Sequence, residues 1–166
     1  MSVLRFFMLL SLVVWVGGII FFAFVVAPTL FGVLPSRNLA GAVVSRSLAA
    51  LHWIGIASGI VFLLASSIES RQTFRRVRVI AVRNLLVAAM VVITLVSQFA
   101  VAGRMQKLRA EMGDIDAVSV TDTRRIEFNR LHEWSTRLEG AVLVLGLAAV
   151  LALAREWKPK RLMDVE

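Results

Sequence analysis

The sequence predicts an all-α fold: an integral membrane four-helix bundle with a partly helical extramembrane connection between helices three and four. Three observations carry that expectation. The 166-residue chain is 58% hydrophobic and 18% charged, whereas soluble domains are about half apolar and about one quarter charged. Its charges gather between four uncharged runs, Phe6 to Ser36, Ser47 to Ile68, Asn84 to Gly103 and Gly140 to Ala154. These hold 31, 22, 20 and 15 residues. A hydrocarbon core of about 30 Å takes about 20 helical residues, because lipid leaves each segment to satisfy its own backbone groups.

The first helix is expected over about residues 4–31. Arg5 precedes an apolar stretch too long for a signal peptide, so the run reads as a retained helix. Trp15 lies mid-run and is expected to pack between helices, with Gly17 and Gly18 as a close-contact face. Pro28 lacks a donor and restricts the residue before it, which suits a helix end or a kink. Pro35, Ser36, Arg37 and Asn38 supply the following turn.

The second helix is expected over about 42–68, with Gly55 and Gly59 forming a G-x-x-x-G contact surface and His52 on the same packed side. After it come Arg71, Arg75, Arg76, Arg78 and Arg83, which read as an anchor to anionic lipid headgroups rather than a nucleic-acid patch. The third helix is expected over about 80–103, with Met105 to Met112 as a separate amphipathic helix and Gly113 to Thr121 as a loop. The fourth, over about 124–156, is capped by Asp122 or Thr123. Its length of about 48 Å makes it project from the bilayer or tilt. Trp53, Trp134 and Trp157 fall toward run ends, as an aromatic belt requires.

In this topology helices two and four begin on the same side, so His52 and His132 share one half of the bundle. Arg46, Gln98 and Arg104 fall in that half too. On helix four His132, Ser135 and Glu139 lie at i, i+3 and i+7, on one face. Ionisable groups within a span are functional candidates, so these seven residues form an expected polar cluster, with Glu139 pairing to Arg46 or Arg104. The plainer readings pair Glu139 with Arg137 and leave His52 bonded to a neighbouring helix. A haem or metal held by His52 and His132 is disfavoured by depth. His52 stands 17 residues from Glu69 and His132 stands 23 from Arg155, a mismatch of about 9 Å at the helical rise. The echo of Leu51-His52-Trp53 in Leu131-His132-Glu133-Trp134 hints at a duplicated hairpin.

No nucleotide-binding, zincin or nucleophile-elbow pattern is present, and the absence of cysteine excludes disulfides and thiolate sites. The expectation is therefore no catalytic residue, no metal and no cofactor, with a haem b redox protein as the rival reading. The stretch from Trp15-Val16-Gly17-Gly18 to Pro28, then Leu51-His52-Trp53, then Phe128-Asn129-Arg130-Leu131-His132-Glu133-Trp134-Ser135 resembles the bacterial membrane family called domain of unknown function 4149, which looks related to transmembrane protein 205. The resemblance runs over roughly residues 4–154 and implies a four-helix membrane protein without an agreed enzymatic activity. Trp15, Gly17, Gly18, Pro28, His52, His132 and Ser135 carry it. The expected role is a non-enzymatic transport or export component, or an accessory subunit of a membrane complex. The expected partners are the lipid bilayer and other membrane subunits or further copies of the chain, with no nucleic acid. The expected location is the cell inner (plasma) membrane, multi-pass, with both termini cytoplasmic, because the second connection and the tail are densely basic beside helix ends.

Overall fold

The computed structural model describes residues 3–74 and 81–155. Four long helices dominate: α1 (Val3–Val33), α2 (Arg37–Phe74), α3 (Val82–Met112) and α4 (Thr123–Arg155). Each is long and apolar enough to cross a membrane, and no strand occurs among the described residues. The expected anchor residues Arg75, Arg76 and Arg78, and the belt residue Trp157, lie outside the described residues. The helices run up and down. The start of α1, the end of α2, the start of α3 and the end of α4 share one end, the terminal end, and the α1–α2 turn and α3–α4 connection share the other, the loop end.

The bundle is apolar inside and out. Met8, Leu12, Trp15, Val16 and Ile19 of α1 meet Phe62 and Ala65 of α2, Val87 and Met90 of α3, and Val142, Ala149 and Leu153 of α4. Phe6, Val13, Phe24, Leu64, Leu85 and Val144 point outward. Helices that are hydrophobic all round need an apolar solvent on the far side, which is the bilayer. The glycine-lined face of α2 lets α1 come close. A Cβ added at Gly55 would collide with the indole of Trp15, and one at Gly59 would lie 2.9 Å from the same ring. Gly18 serves Leu51 in the same way, at 2.8 Å. Gly17 does not: it is exposed, and no atom lies within 4 Å of where its Cβ would stand. Its expected contact role is corrected, because the helix turns that residue to the outside. Gly146, unremarked in the sequence, takes the role instead, with Val16 Cγ2 2.6 Å and Met90 Cε 3.1 Å from its would-be Cβ.

Pro28 neither ends α1 nor packs inward. It is exposed, and the helix continues past it to Val33. The turn just before it, Phe22–Val26, is widened to a π-helix, with the Ala27 N–H donating to the Phe22 carbonyl. A proline cannot donate and its ring presses on the carbonyl four residues back, so widening the preceding turn relieves the clash without breaking the helix. A second widened turn, Ser97–Ala102, lies in α3. Through Gly103 the helix then runs on to Met112, so the expected separate helix is a continuation of α3. The α2 helix exceeds its expected span at both ends. The Ser36 hydroxyl accepts from the Leu39 N–H at 3.1 Å to cap its start. Asp122 rather than Thr123 caps α4, accepting the Arg124 N–H at 2.8 Å. The Asn38 amide reaches the Gly113 carbonyl at 3.3 Å, tying the start of α2 to the end of α3, where Gly113 adopts a φ of +67° open to glycine.

The terminal end is closed by ions. Glu69 near the end of α2 accepts from Arg5 Nε at 2.6 Å and from Arg83 Nη2 at 2.9 Å. Close by, the Ser66 hydroxyl donates to Asn84 Oδ1 at 2.7 Å. Arg83 is therefore corrected from headgroup anchor to interior cation, 7% exposed, because the buried carboxylate of Glu69 draws it inward. Arg71 stays exposed at the rim.

Candidate functional site

In the loop half three helices meet through one histidine. His52 of α2 is 3% exposed, and Nε2 stands 2.5 Å from Glu139 Oε1 of α4 while Nδ1 stands 2.7 Å from Gln98 Oε1 of α3. Gln98 is carried on the second widened turn. Both ring nitrogens face oxygen acceptors, so each contact holds a proton and the imidazole and carboxyl together form a neutral, internally satisfied unit. The depth mismatch between the two histidines explains the pairing. Glu139 follows His132 by seven residues, about 10 Å of helix, which brings the carboxyl level with His52.

The expected partners of Glu139 are thus corrected. Arg104 forks onto Glu127 at 2.7 and 2.9 Å, and Arg137 reaches Glu133 at 3.6 Å. Arg46 is exposed. In each case a closer carboxylate on the aqueous side, or water itself, costs the cation less desolvation than a partner in the span.

His52, Gln98 and Glu139 form the floor of a cavity of about 470 Å³ contributed to by all four helices. His132 and Ser135 line it as well, so five of the seven expected cluster residues share one space, while Arg46 and Arg104 stand outside it. The two histidines are not equivalent, His52 being buried and His132 exposed, so the echoed motif does not produce matched positions. One wall is apolar, built from Ile19, Phe22, Ala23, Ala27 and Phe31 of α1. Both widened turns border the cavity, the first through Phe22 and Ala23, the second through Gln98 and Ala102. Widened turns recur at functional sites because they displace side chains from the regular register. Contact between α1 and α4 lies mainly in the part of α1 before Phe22, and from Phe22 to Val33 no α1 residue is buried. The two helices therefore part toward the loop end, with the cavity between them.

The rim holds residues the sequence reading passed over. Arg109 is half-buried, donates from Nη1 to the Asn38 carbonyl at 3.2 Å, and lies 5.5 Å over the Phe128 ring. Gly41 makes room for it, since a Cβ there would lie 2.7 Å from Nη2. Among the described residues no carboxylate stands within ion-pair distance of Arg109. Arg37, Asn38 and Asp116 share the rim. Arg109 falls within Met105 to Met112, the stretch expected as a separate amphipathic helix, and the continuous α3 brings it over Phe128. Trp15 is 2% exposed, Trp53 53% and Trp134 47%, which separates one interhelical tryptophan from two on the outer surface. No group of three or more potential ligands for a metal ion occurs among the described residues.

Comparison with curated proteins and with solved structures returns no match. The family model described as Domain of unknown function (DUF4149) matches residues 10–114, from α1 through α3, which includes Trp15, His52, Gln98 and Arg109. His132, Ser135 and Glu139 lie beyond the matched span. With well over half of its residues matched, this four-span membrane chain belongs to the Domain of unknown function (DUF4149) family.

Proposed function

We propose that the chain is a non-enzymatic transport or export component, with the loop-half cavity as its solute-binding site. The observation that carries this reading is the cavity itself, about 470 Å³ with an apolar wall and an ionisable floor. That volume falls in the range of roughly 300–1,000 Å³ common to small-molecule sites. Ionisable groups so placed are costly in hydrocarbon and are kept where they meet a solute or water. An accessory subunit would use its apolar outer faces instead and would leave this interior space without a role.

The absence of enzymatic chemistry is supported by the bonding of His52. Its second nitrogen goes to an amide oxygen rather than to the Ser135 hydroxyl, so no nucleophile is paired with a base. The rival haem b reading would require His52 to give up either Glu139 or Gln98, with His132 about 10 Å further along the bundle. No haem or metal is therefore assigned. A Soret band in the purified protein that disappears on His52→Ala would overturn that assignment. Both termini are assigned to the cytoplasmic side of the inner (plasma) membrane, which a reporter joined after Glu166 tests by its compartment.

The binding-site reading is tested with a cysteine, since the chain has none of its own. Ser135→Cys in membranes should react with a small charged thiosulfonate reagent. An unreactive Ser135→Cys, sealed by protein, would overturn the reading in favour of a buried subunit.

A further inference from the structure

Resting on that binding-site reading, we infer that the cavity takes an amphiphile with a single anionic head, a carboxylate or phosphate, seated on Arg109 at the rim with its tail along the α1 wall. Charge is the first argument. The His52 and Glu139 unit at the floor is neutral by its hydrogen bonding, so it sets no demand for a cationic ligand. At the rim two guanidinium groups, Arg37 and Arg109, stand against one carboxylate, Asp116, which leaves an excess positive charge. Arg109 is the cation held in place. Its single hydrogen bond to Asn38 leaves most of its five N–H groups for an incoming anion, and Phe128 and Gly41 fix its plane. Planar guanidinium donors match the oxygens of carboxylates and phosphates.

Shape is the second argument. From Asn38 to His52 is 14 residues, about 21 Å along α2, so the space is long enough for a chain as well as a head. The wall of Phe22, Ala23, Ala27 and Phe31 is apolar and lies where α1 parts from α4. A tail can pass from that wall into the bilayer without crossing water, and an aqueous solute gains nothing from it.

The test uses the full chain in dodecylmaltoside micelles, read by native mass spectrometry. The probes are dodecanoate, dodecyl phosphate, dodecyltrimethylammonium and inorganic phosphate, each added at equal concentration. Dodecanoate and dodecyl phosphate should appear as one-to-one adducts, and Arg109→Gln should weaken them about tenfold, the scale of one charge-assisted bond. Arg109→Lys should retain part of the binding. Ala27→Trp, which fills the wall and leaves Arg109 alone, should abolish the adduct, so misfolding of the arginine variant does not decide the result. Equal binding to the wild type and Arg109→Gln overturns the proposal, as does preference for dodecyltrimethylammonium or for inorganic phosphate alone. No adduct in a protein whose Ser135→Cys reacts overturns the anionic amphiphile only. No adduct together with an unreactive Ser135→Cys overturns the binding site itself.

Discussion

The two ends of the bundle place polar groups in an apolar surrounding by opposite means. At the terminal end Glu69 is matched by two guanidinium groups, Ser66 is matched by Asn84, and the surrounding space is filled by Met8, Phe62 and Val87. In the loop half the buried His52 and Glu139 pair, bonded to Gln98, is neutral in sum, and beside it lies open volume. The comparison teaches that burial of charge alone does not mark a site. The more strongly charged cluster is the sealed one, and the mildly polar one borders the cavity.

Equivalent deletions at the two ends should sharpen that contrast. Glu69→Ala leaves two arginines facing each other, one of them 7% exposed, and should destabilise the purified protein by about 3 kcal/mol or more in thermal or denaturant unfolding. Gly59→Val forces a branched side chain against Trp15 and Val91 and should cost about 1–3 kcal/mol in the same measurement. Glu139→Ala removes a partner of His52 beside open volume, where water would replace the lost bond, so the loss should be nearer about 1 kcal/mol. A Glu139→Ala loss as large as that of Glu69→Ala would break the contrast between the ends. Thr94 is 1% exposed and its hydroxyl has no hydrogen-bond partner among the described residues. Thr94→Val should therefore be neutral or stabilising by up to about 1 kcal/mol.

The smallest effect is local and depends on pH. Side-chain and backbone bonds with Arg124 hold the Asp122 carboxyl down to about 2, from an ordinary value of 3.8. A depressed carboxylate pKa stabilises the folded form above the ordinary value, and the contribution fades as pH falls from 3.8 toward 2. Amide exchange in the first turn of α4 should accelerate over that window and should lose this dependence in Asp122→Ala.

Much of the fold was legible because hydrocarbon imposes length. The four uncharged runs mark four spans, and the G-x-x-x-G of Gly55 and Gly59 marks where Trp15 docks. Gly17 and Gly18 show the limit of such reading: adjacent residues differ by about 100° around a helix, and only Gly18 faces a neighbour. The candidate site was partly legible, since helix connectivity places His52, Gln98 and Glu139 in one half. Their bonding was not, because Glu139 had several cations in reach by sequence and its choice depends on desolvation. Arg109 was missed since α3 was expected to stop near Gly103, and no sequence signal announces the widened turn at Ser97–Ala102 through which it continues.

The most direct test of a sealed terminal half and an open loop half is a comparison of cysteine reactivity in native membranes. Ala23→Cys and Thr136→Cys line the cavity, whereas Ala65→Cys and Ala149→Cys lie in the core. The first pair should react with a charged thiol reagent at least about tenfold faster than the second, as their difference in water contact requires. Equal rates, or faster reaction in the core pair, would contradict the account.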